Sequence, residues 1–438
     1  MAMQPNTAAR RDHQQASACR HARFRSAQHS ALLALVVIFQ VGACRQILAA
    51  DTLVICPMAL QPGLAEWQAF RTAQGHSIAL VNALASTAET QLAIRNANKS
   101  GQLKYVLLVG DVTNFRPNGG APPAATTIPT NYLAAKVNTR WGSTPTIATD
   151  IPYADLDGDG RPDVAIGRIP ATSTAQLVAV LRKSIEYERA TAHGDWERKL
   201  NIASGQGGFG AVTDAIIEAA ARQVLTQSVP AEYITEHIHP GQALQGATAS
   251  LSFAARARQQ LSEGSLAWIY LGHGLPTELD HVRTASGTES ILSVGDVPKL
   301  KCAGHRPLAV LVACYTGAMD ASRACLAEEL LLAEEGPVAV IAATRVTMPY
   351  GNTALGCELL RACFHDRPEH LGDTLRLAER RTIDTAPEDQ LRSSLDAMAT
   401  GLSPAPVDLA AERREHVLMY HLFGDPLLHL RYAPKSTK

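Results

Sequence analysis

The sequence predicts an α/β sandwich built on a mostly parallel sheet. Strand-length apolar runs recur along the chain, and helix-length segments separate them. Most of the runs are apolar at consecutive positions rather than alternating, which is the pattern of strands covered on both faces. The runs are "TLVIC" (52–56), "SIALVNA" (77–83), "YVLLVGD" (105–111), "LNIASG" (200–205), "LAWIYLGHG" (266–274), "LAVLVAC" (308–314) and "VAVIAAT" (338–344).

Helical patterns fall at about 62–74, 86–99, 173–190, 214–227, 249–263, 322–335, 352–365 and 370–383. In the third of these, Leu177, Val180, Leu181 and Ile185 share one helix face, and Thr172 to Thr174 offer capping hydroxyls ahead of it. The boundary falls near "AHGDWER", so one subdomain is expected at 51–195 and a second at 196–432, with 433–438 as a tail. The Pro-, Gly- and Thr-rich stretch 112–150 and the stretch 384–408 are expected as surface excursions, and "FGDP" as a turn into a last strand.

The first fifty residues stand apart. Arg10, Arg11, Arg20, Arg23 and Arg25 precede the apolar run "ALLALVVIFQVGA", and small residues follow at 48–50. A basic region, an apolar stretch too short to span a bilayer and a small-residue end make residues 1–50 a signal peptide. The protein is therefore expected outside the cytoplasm, secreted or in the cell envelope, with no integral span in its mature form. "VGAC" loosely matches a bacterial lipoprotein signal, so a lipid anchor at Cys44 is the alternative fate. The first strand follows the leader directly, so no long pro-domain is expected.

Of the whole chain's 438 residues, 46% are hydrophobic and 18% charged, which allows a sizeable core. Taking six arginines and Asp12 away with the leader leaves 34 basic and 40 acidic residues, net −6. That balance excludes a nucleic-acid partner held by charge. Cys56, Cys302, Cys314, Cys325, Cys357 and Cys363 remain, with no Cys-x-x-Cys. A core of this size needs no disulfide framework, although Cys302 and Cys325 could pair.

In open parallel sheets, ligands bind beyond the carboxyl ends of the strands. Here "LAWIYLGHG" ends on His273 between two glycines, "LAVLVAC" on Cys314, and "VAVIAAT" on Thr344 and Arg345. Only a thiolate is a good nucleophile, and an adjacent imidazole can take the thiol proton and later protonate a leaving group. Cys314 is thus the candidate nucleophile and His273 its acid–base partner. The amides of Gly274 and Cys314 are candidate oxyanion donors. His281 and His305 are expected to be surface histidines.

"DLDGDGRPD" (155–163) has the spacing of a calcium loop. Asp155, Asp157, Asp159, the Arg161 carbonyl and Asp163 stand at positions 1, 3, 5, 7 and 9, with Gly160 at 6. Position 12 is Ile166, so the bidentate ligand is missing and a structural Ca2+ is expected rather than a sensor site. The alternative is a polar turn between two strands.

The chain resembles the gingipain-type cysteine peptidases of the caspase–haemoglobinase fold. The resemblance rests on "KYVLLVGD" (104–111), "DVAIGRIP" (163–170), "IEYE" (185–188), "YLGHG" (270–274), "VLVACYTG" (310–317), "VAVIAAT" (338–344) and "FGDPLLHL" (423–430), in that order. In that family the His precedes the Cys, as here, 41 residues apart. The resemblance implies a caspase-like three-layer sandwich, Cys314 and His273 as the catalytic pair, and hydrolysis of protein or peptide substrates through an acyl-enzyme. It also implies that Gln206, in "SGQGG", stands where relatives carry an acidic residue supporting the His. Asp214 corresponds to an aspartate that binds a substrate's basic side chain; its other reading is a residue at a helix N-terminus stabilised by the dipole. "LPTELDHV" after His273 departs from the family in lacking a tryptophan. The rival reading is a non-catalytic, calcium-stabilised extracellular binding protein that kept the fold, and a third is ligation by the same pair.

Overall fold

Ten strands form one sheet in the order β2-β1-β3-β6-β16-β15-β14-β9-β7-β8. They are β1 (Thr52–Ile55), β2 (Ile78–Val81), β3 (Tyr105–Val109), β6 (Ala165–Ile169), β7 (Lys199–Ser204), β8 (Ile234–Ile238), β9 (Ala267–Leu271), β14 (Leu308–Val312), β15 (Ala339–Ala343) and β16 (Tyr420–Phe423). Three two-stranded ribbons accompany it: β4 (Asn131–Ala134) with β5 (Thr146–Thr149), β10 (Gly274–Leu275) with β11 (Glu278–Leu279), and β12 (His281–Thr284) with β13 (Gly287–Ser290). This computed structural model describes residues 50–112, 124–191, 193–206, 228–240, 251–284, 287–384, 389–403, 406 and 408–433.

Every predicted apolar run contains a strand of this sheet. β1, β3 and β15 are buried at every position, as unbroken apolar runs require. Within the ten-stranded sheet all pairings are parallel except β15 with β16. That one antiparallel contact divides the sheet. The strands β7, β8, β9, β14 and β15 point their carboxyl ends to one edge, while β1, β2, β3, β6 and β16 point theirs to the other.

The helices cover both faces. Thr174–Arg189 buries Leu177, Val180, Leu181 and Ile185, and its cap is Ser173, whose hydroxyl accepts from the Gln176 amide at 3.2 Å. Ser86 and Glu89 form a capping box ahead of Thr87–Ala97, which fixes where that helix starts. The expected helix at 214–227 lies outside the described residues.

Several expectations change. β16 was not visible in sequence. It is four residues long, follows the helix Leu409–Met419 without a break, and carries His421 in a buried strand. "FGDP" closes this last strand rather than opening one: Gly424, at φ +146°, turns the chain away after Phe423. The stretch 384–408 contains the helix Gln390–Leu402, capped by Asp389. The segment before the acidic loop is a short helix, Ile151–Ala154, not the strand that the polar-turn alternative supposes. Cys302 and Cys325 are separate, buried free thiols: the Cys302 sulfur donates to the Leu261 carbonyl at 3.3 Å, and Cys325 caps the helix Leu326–Leu332.

Candidate active site

Four neighbouring parallel strands, β15, β14, β9 and β7, carry the candidate residues to one rim. β14 pairs with β9 through Val312↔Leu271, and the Gly272 amide donates to the Val312 carbonyl at 3.2 Å. The next residues on the two strands are the turns bearing Cys314 and His273. These turns touch. A Cβ on Gly274 would lie 2.8 Å from the Cys314 carbonyl oxygen and 3.0 Å from the Ala313 Cβ, so only glycine lets the two backbones approach this closely.

Cys314 is held at the strand tip by a sharp turn. Tyr315 takes φ +58°, a conformation uncommon outside glycine, and its amide donates to the Arg345 carbonyl at 3.1 Å. Arg345 in turn grips Asp320 with two bonds of 2.8 and 2.6 Å, and its Nε reaches the Thr146 carbonyl at 2.6 Å. The turn after the cysteine is therefore tied to the tip of β15.

The sulfur accepts from the Thr347 amide at 3.3 Å and lies 3.7 Å from the Thr347 hydroxyl. Behind Thr347, the Asn352 amide donates to Thr347 Oγ1 at 3.0 Å, and the Tyr420 hydroxyl donates to Asn352 Oδ1 at 2.8 Å. Cys314 is half-buried, whereas the other five described cysteines are buried. Burial pushes the thiols of Cys56, Cys302, Cys357 and Cys363 up to about 12, and that of Cys325 well above its usual range. Those five are inert packing thiols at neutral pH.

His273 is exposed at the mouth of the rim. Its carbonyl is fixed twice, by the Tyr270 hydroxyl at 3.1 Å and the Asp280 amide at 3.1 Å. The same Tyr270 hydroxyl sits under Gly205 and Gly272, where added Cβ atoms would fall 2.5 and 2.6 Å from it. The Gly205 amide donates to the Leu271 carbonyl at 2.8 Å, so the tip of β7 lies beside that of β9. Gln206 follows, exposed at the same rim. Asp214 lies outside the described residues. A cavity of about 550 Å³ bordered by Asp111, Glu328 and Glu335 includes neither Cys314 nor His273, so the chemistry points to the open rim rather than to that hollow.

In the acidic loop, one carboxylate oxygen from each of Asp155, Asp157 and Asp159 lies within 4.8 Å of the others, which suits a hard cation. Asp163 stands outside this group: it accepts from the Leu156 amide at 2.8 Å and pairs with Arg380 at 3.2 Å. The Arg161 guanidinium pairs with Asp159 at 2.8 Å and Asp384 at 2.6 Å.

Sequence reasoning missed Thr347, Asn352, Tyr420 and Tyr270. Thr347 lies three residues beyond Thr344, the end of an apolar strand, and that position was the one signal for it. Its contribution is a backbone amide, which no residue type announces.

The layout matches solved structures. The arginine-specific cysteine proteinase gingipain R (RgpB) is similar with a TM-score of 0.61 and 21% identity, over 87% of this chain and 78% of that one. The complex of the Porphyromonas gingivalis RgpB pro- and mature domains gives 0.62 and 20%, over 87% and 80%. A third structure, described as a protease, gives 0.61 and 15%, over 88% and 80%. Comparison with curated proteins finds no match. At these identities the structures establish the fold, an α/β caspase-like sandwich. The profile of peptidase family C25 matches residues 47–431, nearly the whole described chain. This is a cysteine peptidase by class. It belongs to peptidase family C25, the gingipain family.

Proposed function

We propose that the protein is a secreted endopeptidase in which Cys314 and His273 hydrolyse peptide bonds through an acyl-enzyme. The observation that carries this is the backbone contact of Gly274 with Cys314, which keeps the histidine turn against the cysteine turn. His273 takes the thiol proton, and the sulfur attacks the scissile carbonyl carbon. The C–N bond breaks as His273 returns the proton to the leaving amine. Water, losing a proton to His273, then attacks the thioester. The acid product leaves, and sulfur recovers its proton. The amides of Gly274 and Cys314 stabilise the oxyanion, a contribution of about 3 kcal/mol per donor. The Thr347 amide donates to the sulfur and helps fix its place at the rim.

Gln206 orients the imidazole without the charge a carboxylate would bring. Asp214 gives a preference for substrates with a basic residue before the scissile bond. Residues 1–50 direct export to the cell envelope or beyond, with Cys44 as the anchor if the leader is lipidated. No helix among the described residues is long and apolar enough to cross a membrane. Asp155, Asp157 and Asp159, with the Arg161 carbonyl, take a structural Ca2+ that neutralises the loop's carboxylates.

The test is hydrolysis of mixed peptides by wild type and Cys314→Ala, alongside iodoacetamide labelling at slightly acidic pH. Rapid labelling at Cys314 and loss of hydrolysis in the variant are expected. Equal turnover in both chains, or no turnover with a sluggish thiol, favours a binding protein that kept the fold. Joined rather than cleaved peptides indicate ligation.

A further inference from the structure

Away from Cys314, two imidazoles meet where the helix Leu371–Ile383 begins. His370 is that helix's cap residue, and the Leu371 amide donates to the Leu428 carbonyl at 2.8 Å, which sets His429 beside it. His370 is 5% exposed, so any nitrogen left without a partner there is costly. Its Nδ1 lies 2.9 Å from the Tyr105 hydroxyl, and that hydroxyl donates to Asp373 at 2.6 Å. Tyr105 spends its one proton on the carboxylate, so its oxygen accepts from His370 Nδ1–H. The tautomer is thereby fixed, and His370 Nε2 carries a lone pair.

That Nε2 is shut from solvent and has no hydrogen-bond partner, and the same holds for Nε2 of His429. The rings stand 4.6 Å apart, centroid to centroid, at 74°. Glu369 reaches over from the solvent side, its carboxylate 4.0 Å from His429 Nε2. One ligand atom from each of Glu369, His370 and His429 lies within 4.8 Å of the other two.

We propose that His370 Nε2, His429 Nε2 and the Glu369 carboxylate form a binding site for a zinc-class divalent ion. Two neutral imidazoles and one carboxylate suit Zn2+ or Co2+ and are a poor match for Ca2+, which takes oxygen ligands. Ligand distances of roughly 2.0–2.2 Å require the three atoms to draw together slightly. The exposed Glu369 and half-buried His429 are free to do so. The Asp373–Tyr105–His370 relay is the outer support that orients a metal-binding imidazole. The ion would clamp the last turn of the chain to the helix start, independently of the peptidase reaction.

The experiment uses the full mature chain carrying Cys314→Ala, which removes the exposed thiol as a competing ligand. The chain is stripped with chelator and titrated with Co2+, followed by visible absorption, and with Zn2+ against a chromogenic chelator. One equivalent should bind. His429→Asn, at a half-buried position, and Glu369→Gln, at an exposed one, should each weaken binding by at least the roughly 10–100-fold that even an outer partner costs. Asp157→Asn, in the acidic loop, should not change it. Absence of stoichiometric binding overturns the proposal, as does retention within about threefold by either His429→Asn or Glu369→Gln. Circular dichroism of the metal-free variants confirms that folding is intact.

Discussion

Gly274→Ala tests the contact on which the peptidase geometry depends. The new Cβ would stand 2.8 Å from the Cys314 carbonyl oxygen, 2.8 Å from Thr316 Cγ2 and 3.0 Å from Ala313 Cβ. Comfortable separations are roughly 3.5–4.0 Å, so the two turns must part by something under 1 Å. The closest atom belongs to the backbone of the cysteine turn, which Arg345 and Asp320 hold in place, so it cannot swing aside like the end of a long side chain. A misplacement near 1 Å costs about 100-fold in rate, or about 2.7 kcal/mol of barrier. Overpacking should also lower stability by about 1–3 kcal/mol. The assay is kcat/KM on a fluorogenic peptide, with chemical denaturation in parallel. Gly356→Ala is the control: nothing lies within 4 Å of its Cβ, and its place in the helix Pro349–Arg361 favours alanine by about 0.5–1 kcal/mol. If Gly274→Ala matches wild type in kcat/KM, the two turns do not work as one site and the reasoning fails.

Asp425→Ala should cost about 1–3 kcal/mol, because it leaves the buried Trp67 indole N–H without its acceptor and Arg71 with only its Glu188 pair; Glu66→Gln, in an exposed 3.5 Å pair with Arg182, should change stability by under about 1 kcal/mol in the same denaturation series. Burial pushes His416 and His421 down to about 4, so their stabilisation is complete above about pH 6.5 and is lost as pH falls towards 4, where the unfolded chain binds protons the folded chain refuses. Glu379, pushed up by burial, acts in the opposite sense, so the readable quantity is the flatter pH–stability slope of His416→Asn relative to wild type between pH 4 and 6.5, by roughly 3 kcal/mol over the window. Removing calcium with EGTA should lower Tm, and Asp157→Asn should abolish that response; an identical EGTA effect in the variant places the ion elsewhere.

The strands were legible because a buried parallel strand writes itself as an unbroken apolar run, as in "LAVLVAC". The neighbouring strand-tip positions of Cys314 and His273 were legible for the same reason: polar groups ending such runs have one rim to occupy. What escaped was whatever depends on distant partners. The acidic residues of "IEYE" and "FGDP" have a shared partner that no local pattern shows. In the structure they meet: Arg71 bonds Glu188 at 2.7 Å and Asp425 at 2.7 Å, joining two helices to the turn after the last strand. His370 and His429 carried no signal, since their spacing is set by a contact between the helix start and the chain's last turn. The acidic loop was legible as a set of aspartates, but the departure of Asp163 towards Arg380 was not, because Arg380 lies far along the chain.

The last strand ties these parts to the chemistry. β16 enters the sheet between β6 and β15, with Tyr420 opposite Ala343 at the rim where β15 delivers Thr347. The Tyr420 hydroxyl holds Asn352, Asn352 holds the Thr347 side chain, and the Thr347 amide faces the sulfur. One strand therefore both joins the halves of the sheet and sets the outer support of Cys314. In a sheet whose half bearing Cys314 and His273 keeps all its own strands parallel, the single antiparallel neighbour is what brings an amino-terminal strand end, and with it the Tyr420 hydroxyl, to their edge. A further parallel strand at that place would have brought a carboxyl end instead, and the hydroxyl that holds Asn352 would have had to come from another part of the chain.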